Sequence, residues 1–341
     1  MRVLALLRTN WFVLGLGAAL GLALFAPAPG ARGGVLHSEL TTRLGVVAIF
    51  ALQGLTLPLE ALRRGASNVR LHLLIQAVTF GLLPALGWAL DATLGPWLEP
   101  ELRLGLLYLC VLPSTIKTAV VFTSLAGGDA AAAIFSATLS SLLGVVLTPF
   151  LLGLLGTGAQ AGANFASVLG EIAQLLLVPF FVGLALQRPL RGWAARLKPF
   201  TNPISSSIVL FIVYAAFSNS VVDGTWTRQS FCSTALGLGA ALLVFLVATS
   251  LTALLARGLR LSRADTITAV FCAPQKTLAS GAPLARLVFP NQDLGVLLLP
   301  LLVYHPLQLL LGSLLVSWLS RPRPATEVPT EDGSAASDRP R

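Results

Sequence analysis

Apolar residues run along this chain in blocks of roughly twenty, the length an α-helix needs to cross the hydrocarbon of a bilayer. Short stretches rich in Gly, Pro, Arg and Asp divide it into ten such blocks, near residues 9–27, 42–61, 71–91, 102–126, 130–155, 169–187, 203–222, 231–256, 265–287 and 294–319. The pattern predicts an all-α polytopic membrane protein of ten transmembrane helices. Five crossings per half is an odd number, so residues 161–319 must run through the membrane opposite to residues 9–160, which is the inverted-repeat plan of secondary transporters. The first block follows Arg2 and Arg8 and precedes Ala26-Pro27-Ala28, like a signal peptide. With nine further blocks behind it, a retained first helix is expected.

Composition agrees with the pattern. Apolar residues make up 55% of the 341 residues and charged ones 11%, outside the range of soluble domains. The net charge of +9 matters through its placement. Arg63, Arg64, Arg70, Arg188, Arg191, Arg196, Lys198, Arg257, Arg260, Arg263, Arg321 and Arg323 fall on one side of the predicted bundle, whereas Asp91, Glu99, Glu101, Glu171 and Asp223 fall at the other. The positive-inside rule then puts both termini in the cytoplasm, with residues 1–8 as a short lead and 320–341 as a disordered polar tail. No basic stripe interleaved with aromatics appears, so the lipid bilayer and not nucleic acid is the expected partner. The Ala/Leu/Arg-rich composition, the short loops and the absence of Asn-x-Ser/Thr fit a bacterial inner (plasma) membrane. Cys110, Cys232 and Cys272 have neither metal nor disulfide spacing and read as small core residues.

Lys117 and Lys276 are the charges deep inside apolar blocks, and they share a pattern: Lys117-Thr118 is followed by Leu125-Ala126, and Lys276-Thr277 by Leu284-Ala285. A mid-membrane charge costs roughly 2.5–3.5 kcal/mol on insertion scales, so such a lysine is expected to face an aqueous cavity or a partner, or else to snorkel toward the interface. No Asp or Glu lies mid-block, which leaves hydroxyls, amides, carbonyls, water or a bound anion as partners. Both lysines sit beside helix breakers. Block four reads LCVLPSTIKTAVVFTSLAGGD and block nine FCAPQKTLASGAPLARL, interrupted by Pro113 in one and by Pro274, Gly281 and Pro283 in the other. Two discontinuous helices are therefore predicted. Ser114, Thr115, Thr118, Gln275 and Thr277 are the nearby polar candidates. Ser136 and Ser140 share a face of block five, Gln76 and Thr79 lie on block three, and Tyr304-His305-Pro306 with Gln308 forms a polar knot on block ten in which His305 is a candidate relay.

Three stretches, LPSTIKTAVVFTSLAGGDAAAAIFSATLSSLLG, FCAPQKTLASGAPLA and LLVYHPLQLLLGSLL, carry a resemblance to the bile acid:sodium symporter family, in its divergent lysine-containing branch. The resemblance covers nearly all ten blocks. It implies a panel domain and a core domain, the core built on two discontinuous helices that cross near the midplane, here blocks four and nine. In sodium-coupled members it implies a Glu and a Gln-Asn pair on the second broken helix. Phe271 stands at the Glu position, Gln275-Lys276 at the pair, and Thr79 at the family's Gln on block three.

Losing a carboxylate and gaining two ammonium groups disfavours Na⁺. The expected function is alternating-access transport of a small organic anion, with Lys117 and Lys276 replacing bound sodium or holding the anion, and no cofactor. The alternatives are a sodium-coupled symporter, with Na⁺ on Thr115, Thr118, Ser140 and Gln275, and a transporter fold that regulates another membrane system. Paired intramembrane Asp residues, HExxH and Gly-x-Ser-x-Gly are absent, which argues against an enzyme.

Overall fold

A computed structural model describes residues 11–155, 165–290 and 292–320. The calls for residues 1–8, for the loop around 160 and for the tail beyond 320 lie outside them. Among the described residues the architecture is helical without a sheet. The helices are α1 (Trp11–Phe25), α2 (Ser38–Leu55), α3 (Val69–Trp97), α4 (Pro100–Val111), α5 (Ile116–Leu125), α6 (Ala130–Leu154), α7 (Phe165–Leu186), α8 (Arg191–Val222), α9 (Phe231–Gly258), α10 (Arg263–Cys272), α11 (Leu278–Val288) and α12 (Leu299–Leu319). Short helical turns at Leu59–Gly65, Thr225–Arg228 and Leu294–Leu297 join some of them. Val69–Trp97, Ala130–Leu154, Arg191–Val222, Phe231–Gly258 and Leu294–Leu319 are each long and apolar enough to span a bilayer.

Starts and stops follow local chemistry. Asn68, Asp129, Ser262 and Thr277 each accept a backbone N–H from the first turn of the helix they precede, satisfying donors that have no intrahelical partner. Gly127 turns the chain between α5 and α6 at φ 80°, a conformation that side chains with a Cβ rarely adopt. Within α3, Val78–Leu82 widens into a π-turn. Such turns redirect side chains, and this one contains Thr79.

Helix α2 ends at Leu55, short of the expected 61, because Pro58 cannot continue it and residues 59–65 form their own turn. The basic stretch expected as a loop at 191–198 is the start of α8, whose length of about 48 Å exceeds the hydrocarbon thickness. Its exposed Arg191, Arg196 and Lys198 therefore extend past the apolar zone. Gly281 and Pro283, expected to interrupt block nine, lie inside α11. Cys110 and Cys272 are buried as expected, but Cys232, in the first turn of α9, is exposed.

Helices α1, α2, α7 and α8 pack on one another as one group, and α3–α6 with α9–α12 as another. Within the first group α2 and α7 approach through glycines: a Cβ on Gly54 would collide with the Phe180 carbonyl, and one on Gly183 with the Ala51 carbonyl. Small residues allow this closeness where lipid supplies no hydrophobic drive. Gly183→Val is expected to destabilise the folded protein by about 1–3 kcal/mol through overpacking against backbone that cannot yield. Thermal unfolding in detergent checks this, and an unchanged midpoint would show that α2 and α7 can separate freely.

Candidate functional site

The two interruptions lie against each other. Chain 112–115 separates α4 from α5, chain 273–277 separates α10 from α11, and Ser114 pairs with Lys276 as an isolated antiparallel bridge. The Thr277 amide donates to the Pro113 carbonyl at 3.3 Å. Pro113 sits on Gly144 of α6, where a Cβ would lie 2.6 Å from its ring carbons. A glycine is needed there for the broken segment to pass.

Breaking a helix inside a bilayer frees backbone groups that water cannot reach, so their partners must come from the protein. Thr148 of α6 donates to the Val111 carbonyl at 2.8 Å. Ser140 accepts the Ser114 amide at 2.9 Å, and the Ser114 hydroxyl donates to the Cys272 carbonyl. Thr79, within the π-turn, donates to the carbonyl of Ile75 in its own helix at 2.7 Å, and its hydroxyl also lies 3.3 Å from the carbonyl of Ala273. Tyr304 donates to that of Pro274 at 2.5 Å. Gln308 of α12 takes both backbone groups of Lys276, accepting its N–H at 2.8 Å and donating to its C=O at 2.9 Å. The same amide nitrogen lies 3.1 Å from His305 Nδ1, which must therefore accept.

Lys276 is completely buried, at 0% exposure, with no carboxylate partner among the described residues. Its Nζ donates to the carbonyls of Leu112 at 2.5 Å and Cys110 at 3.3 Å, the C-terminal end of α4. A helix C-terminus carries about half a negative charge. The ammonium thus lies against the partial negative charge of that terminus.

The other ends of the broken helices are different. Helices α5 and α11 begin beside the crossing, and their N-termini carry partial positive charge. Lys117 lies in the first turn of α5, exposed, and has no hydrogen bond or ion pair among the described residues. Thr118 donates to Gln275 Oε1 at 2.6 Å, whereas Gln275 Nε2 is buried without a hydrogen-bond partner. Donors and positive ends gather here, and acceptors at the C-terminal ends.

The structure therefore brings Ser114, Thr118, Ser140, Thr79, Gln275, Lys276 and Thr277 to one place, with His305 joined through Gln308. Lys117 stands at its edge, and Thr115 is buried in the break. Ser136 and Gln76 belong to a separate knot: His72 Nδ1 lies 2.6 Å from Ser136 Oγ, His72 Nε2 lies 2.8 Å from the Gly65 carbonyl, and Gln76 Nε2 donates to the Ser136 carbonyl at 3.0 Å. Thr148, Tyr304 and Gln308 were missing from the candidate set. Their signal is a hydrogen-bonding side chain in an apolar block at the depth of the prolines, which for Tyr304 and Gln308 was visible as the polar knot.

Residues 10–321 match the SBF-like CPA transporter family. The chain is 41% identical over 313 residues to "Uncharacterized protein PA2026" of Pseudomonas aeruginosa, covering 92% of this chain and 93% of that one. It is 34% identical over 333 residues to "Sodium/bile acid cotransporter 7" of Mus musculus, covering 94% and 96%. The protein of the same name from Xenopus tropicalis is 34% identical over 334 residues, covering 94% and 95%. Paired broken helices, an apolar helical bundle and a match over nearly the whole chain make this an integral membrane protein that belongs to the SBF-like CPA transporter family, within the bile acid:sodium symporter group.

Proposed function

We propose that the chain is a secondary-active, alternating-access transporter of a small organic anion in which Lys276 is a tethered replacement for a bound cation and Lys117 faces the anion. The carrying observation is the fully buried Lys276 ammonium on the Leu112 and Cys110 carbonyls. With no exposed surface and its donors turned to the α4 terminus, Lys276 neutralises the crossing without touching solute. Lys117, Gln275 Nε2 and the N-termini of α5 and α11 are left to meet a negative group, as half-helix N-termini do in transporters of anionic substrates. In this reading the ten blocks cross the membrane as two inverted repeats, 9–160 and 161–319, with the termini in the cytoplasm of a bacterial inner membrane. The two packed groups are the panel and core that move against each other. Matching breaks, each followed by a Lys-Thr pair or containing one, support the repeat, and the loop arginines support the orientation.

Uptake of a panel of small organic anions into proteoliposomes tests the proposal. For a substrate so found, Lys117→Gln is expected to raise KM about tenfold or more, since a hydrogen bond to a charged group contributes about 1.5–3 kcal/mol, while Lys117→Arg retains most of the affinity. Equal KM for wild type and Lys117→Gln would remove Lys117 from the solute path.

A second reading, sodium coupling, is favoured by the sodium in the relatives' names. The C-terminus of α10 is covered by the hydroxyls of Ser114, Thr79 and Tyr304 without any ammonium. Of the proposed sodium ligands, Ser140 is engaged with the Ser114 amide and Thr118 with Gln275. Sodium-dependent stabilisation of the wild-type protein would favour this reading over the tethered cation.

A further inference from the structure

Helix α8 is longer than the hydrocarbon it has to cross. Its charge-free part, residues 204–222, already covers about 28 Å, close to the roughly 30 Å of bilayer hydrocarbon. The turns before it, residues 191–203, therefore project into the headgroup layer. Arg191, Trp193, Arg196, Lys198 and Phe200 are all exposed there, as is Arg188 in the turn that leads in, whereas Ala194 is buried against the bundle. Trp193, Arg196 and Phe200 follow one another at steps of three and four, so they share one face of the helix, and Arg191 and Lys198, seven apart, share another. Trp193 is 69% exposed and Phe200 60%. Rings and a cation on one face suit the level of the membrane at which water and hydrocarbon meet.

The cations of this stretch are not answered by acids. Between Glu171 and Asp223 the chain contains no Asp or Glu. None of Arg188, Arg191, Arg196 and Lys198 makes an ion pair or a side-chain hydrogen bond among the described residues. Gln187 donates to the Leu57 carbonyl at 2.6 Å, which brings the turn holding Glu60 to this end of the bundle, yet Glu60 is exposed and pairs with none of them. Other cations of the protein are engaged: Arg103 with Asp91, and Arg263 with the Leu319 carbonyl at 2.6 Å. Four uncompensated cations beside two exposed rings complement an anionic lipid, whose phosphate meets the cations while its glycerol and upper acyl chain meet the rings.

We propose that the basic start of α8 is a binding surface for anionic phospholipid. Arg188, Arg191, Arg196 and Lys198 hold the headgroup phosphates, and Trp193 and Phe200 fix the depth at which they do so. Because α8 packs with α1, α2 and α7, the lipid holds that group at a set level in the bilayer and leaves the crossing untouched. Binding here is independent of the roles of Lys117 and Lys276.

The test is thermal unfolding of the purified full chain in mixed micelles that contain phosphatidylglycerol or phosphatidylcholine at the same lipid-to-detergent ratio, since whatever binds the folded state raises its apparent stability. Phosphatidylglycerol is expected to raise the midpoint by several degrees more than phosphatidylcholine does. That difference should shrink as the salt is raised from about 50 mM to about 500 mM, because exposed charges are screened. Replacing Arg191, Arg196 and Lys198 together by Gln should remove at least half of the difference. The same replacement at Arg70, Arg257 and Arg260, which are exposed elsewhere and remove as much charge, should leave it intact. All six side chains are exposed, so both variants are expected to fold. Equal midpoints in the two lipids, an undiminished difference in the α8 variant, an equal loss in the control variant, or the same shift from inorganic phosphate without lipid would each overturn the proposal.

Discussion

Lys276→Ala is expected to abolish transport and to lower stability by about 2–6 kcal/mol, because two buried carbonyls lose their donor at about 1–3 kcal/mol each. The affected oxygens are those of Leu112 and Cys110, at a helix end that intrahelical bonding leaves unpaired. Removing the side chain also opens a space the length of a lysine, lined on one side by those oxygens. Such a space is suited to a small cation. The sharper expectation is therefore a change in ion dependence: Na⁺ leaves the unfolding midpoint of wild type unchanged and raises that of Lys276→Ala. Lys276→Met fills most of the volume without supplying donors, so it should be destabilised and less responsive to Na⁺. Wild-type transport by Lys276→Ala, or the same sodium response in both proteins, would defeat the tethered-cation reading.

Much of this site could be read in the sequence because membrane burial makes polar residues conspicuous. Proline beside lysine in an apolar block located both interruptions, and the structure has them at 112–115 and 273–277. Side-chain direction was a different matter. Lys117 and Lys276 occupy matching sequence positions but opposite environments, one exposed and one completely buried. The reason is local: Lys117 lies within the first turn of α5, whereas Lys276 lies in the extended segment before α11 and turns back to the end of α4. Periodicity on block five likewise grouped Ser136 with Ser140, yet one bonds to His72 and the other to Ser114. A shared helix face does not specify which neighbour reaches it. The π-turn that contains Thr79 has no sequence signal of its own, so it was not legible.

Gln308→Leu is expected to be nearly as damaging as loss of Lys276, since it strands both backbone groups of Lys276 in a dry interior at about 1–3 kcal/mol each. The wild-type amide cannot be reversed. Its Oε1 accepts the Lys276 N–H while its Nε2 donates to the Lys276 carbonyl and to His305, so each end has a fixed role. This clamp from α12 sets the backbone from which Lys276 reaches α4. Gln308→Glu separates the clamp from simple packing, because it keeps the volume and the acceptor but replaces the donor with an oxygen facing the Lys276 carbonyl. At neutral pH it should be destabilised and inactive. As the pH falls, protonation of the new carboxyl restores one donor, so its stability relative to wild type should recover, whereas that of Gln308→Leu should not. Unfolding midpoints of the three proteins across a pH series give the answer. If Gln308→Glu stays as stable as wild type at neutral pH, the amide does not hold Lys276, and the position of the ammonium must be set by α4 alone.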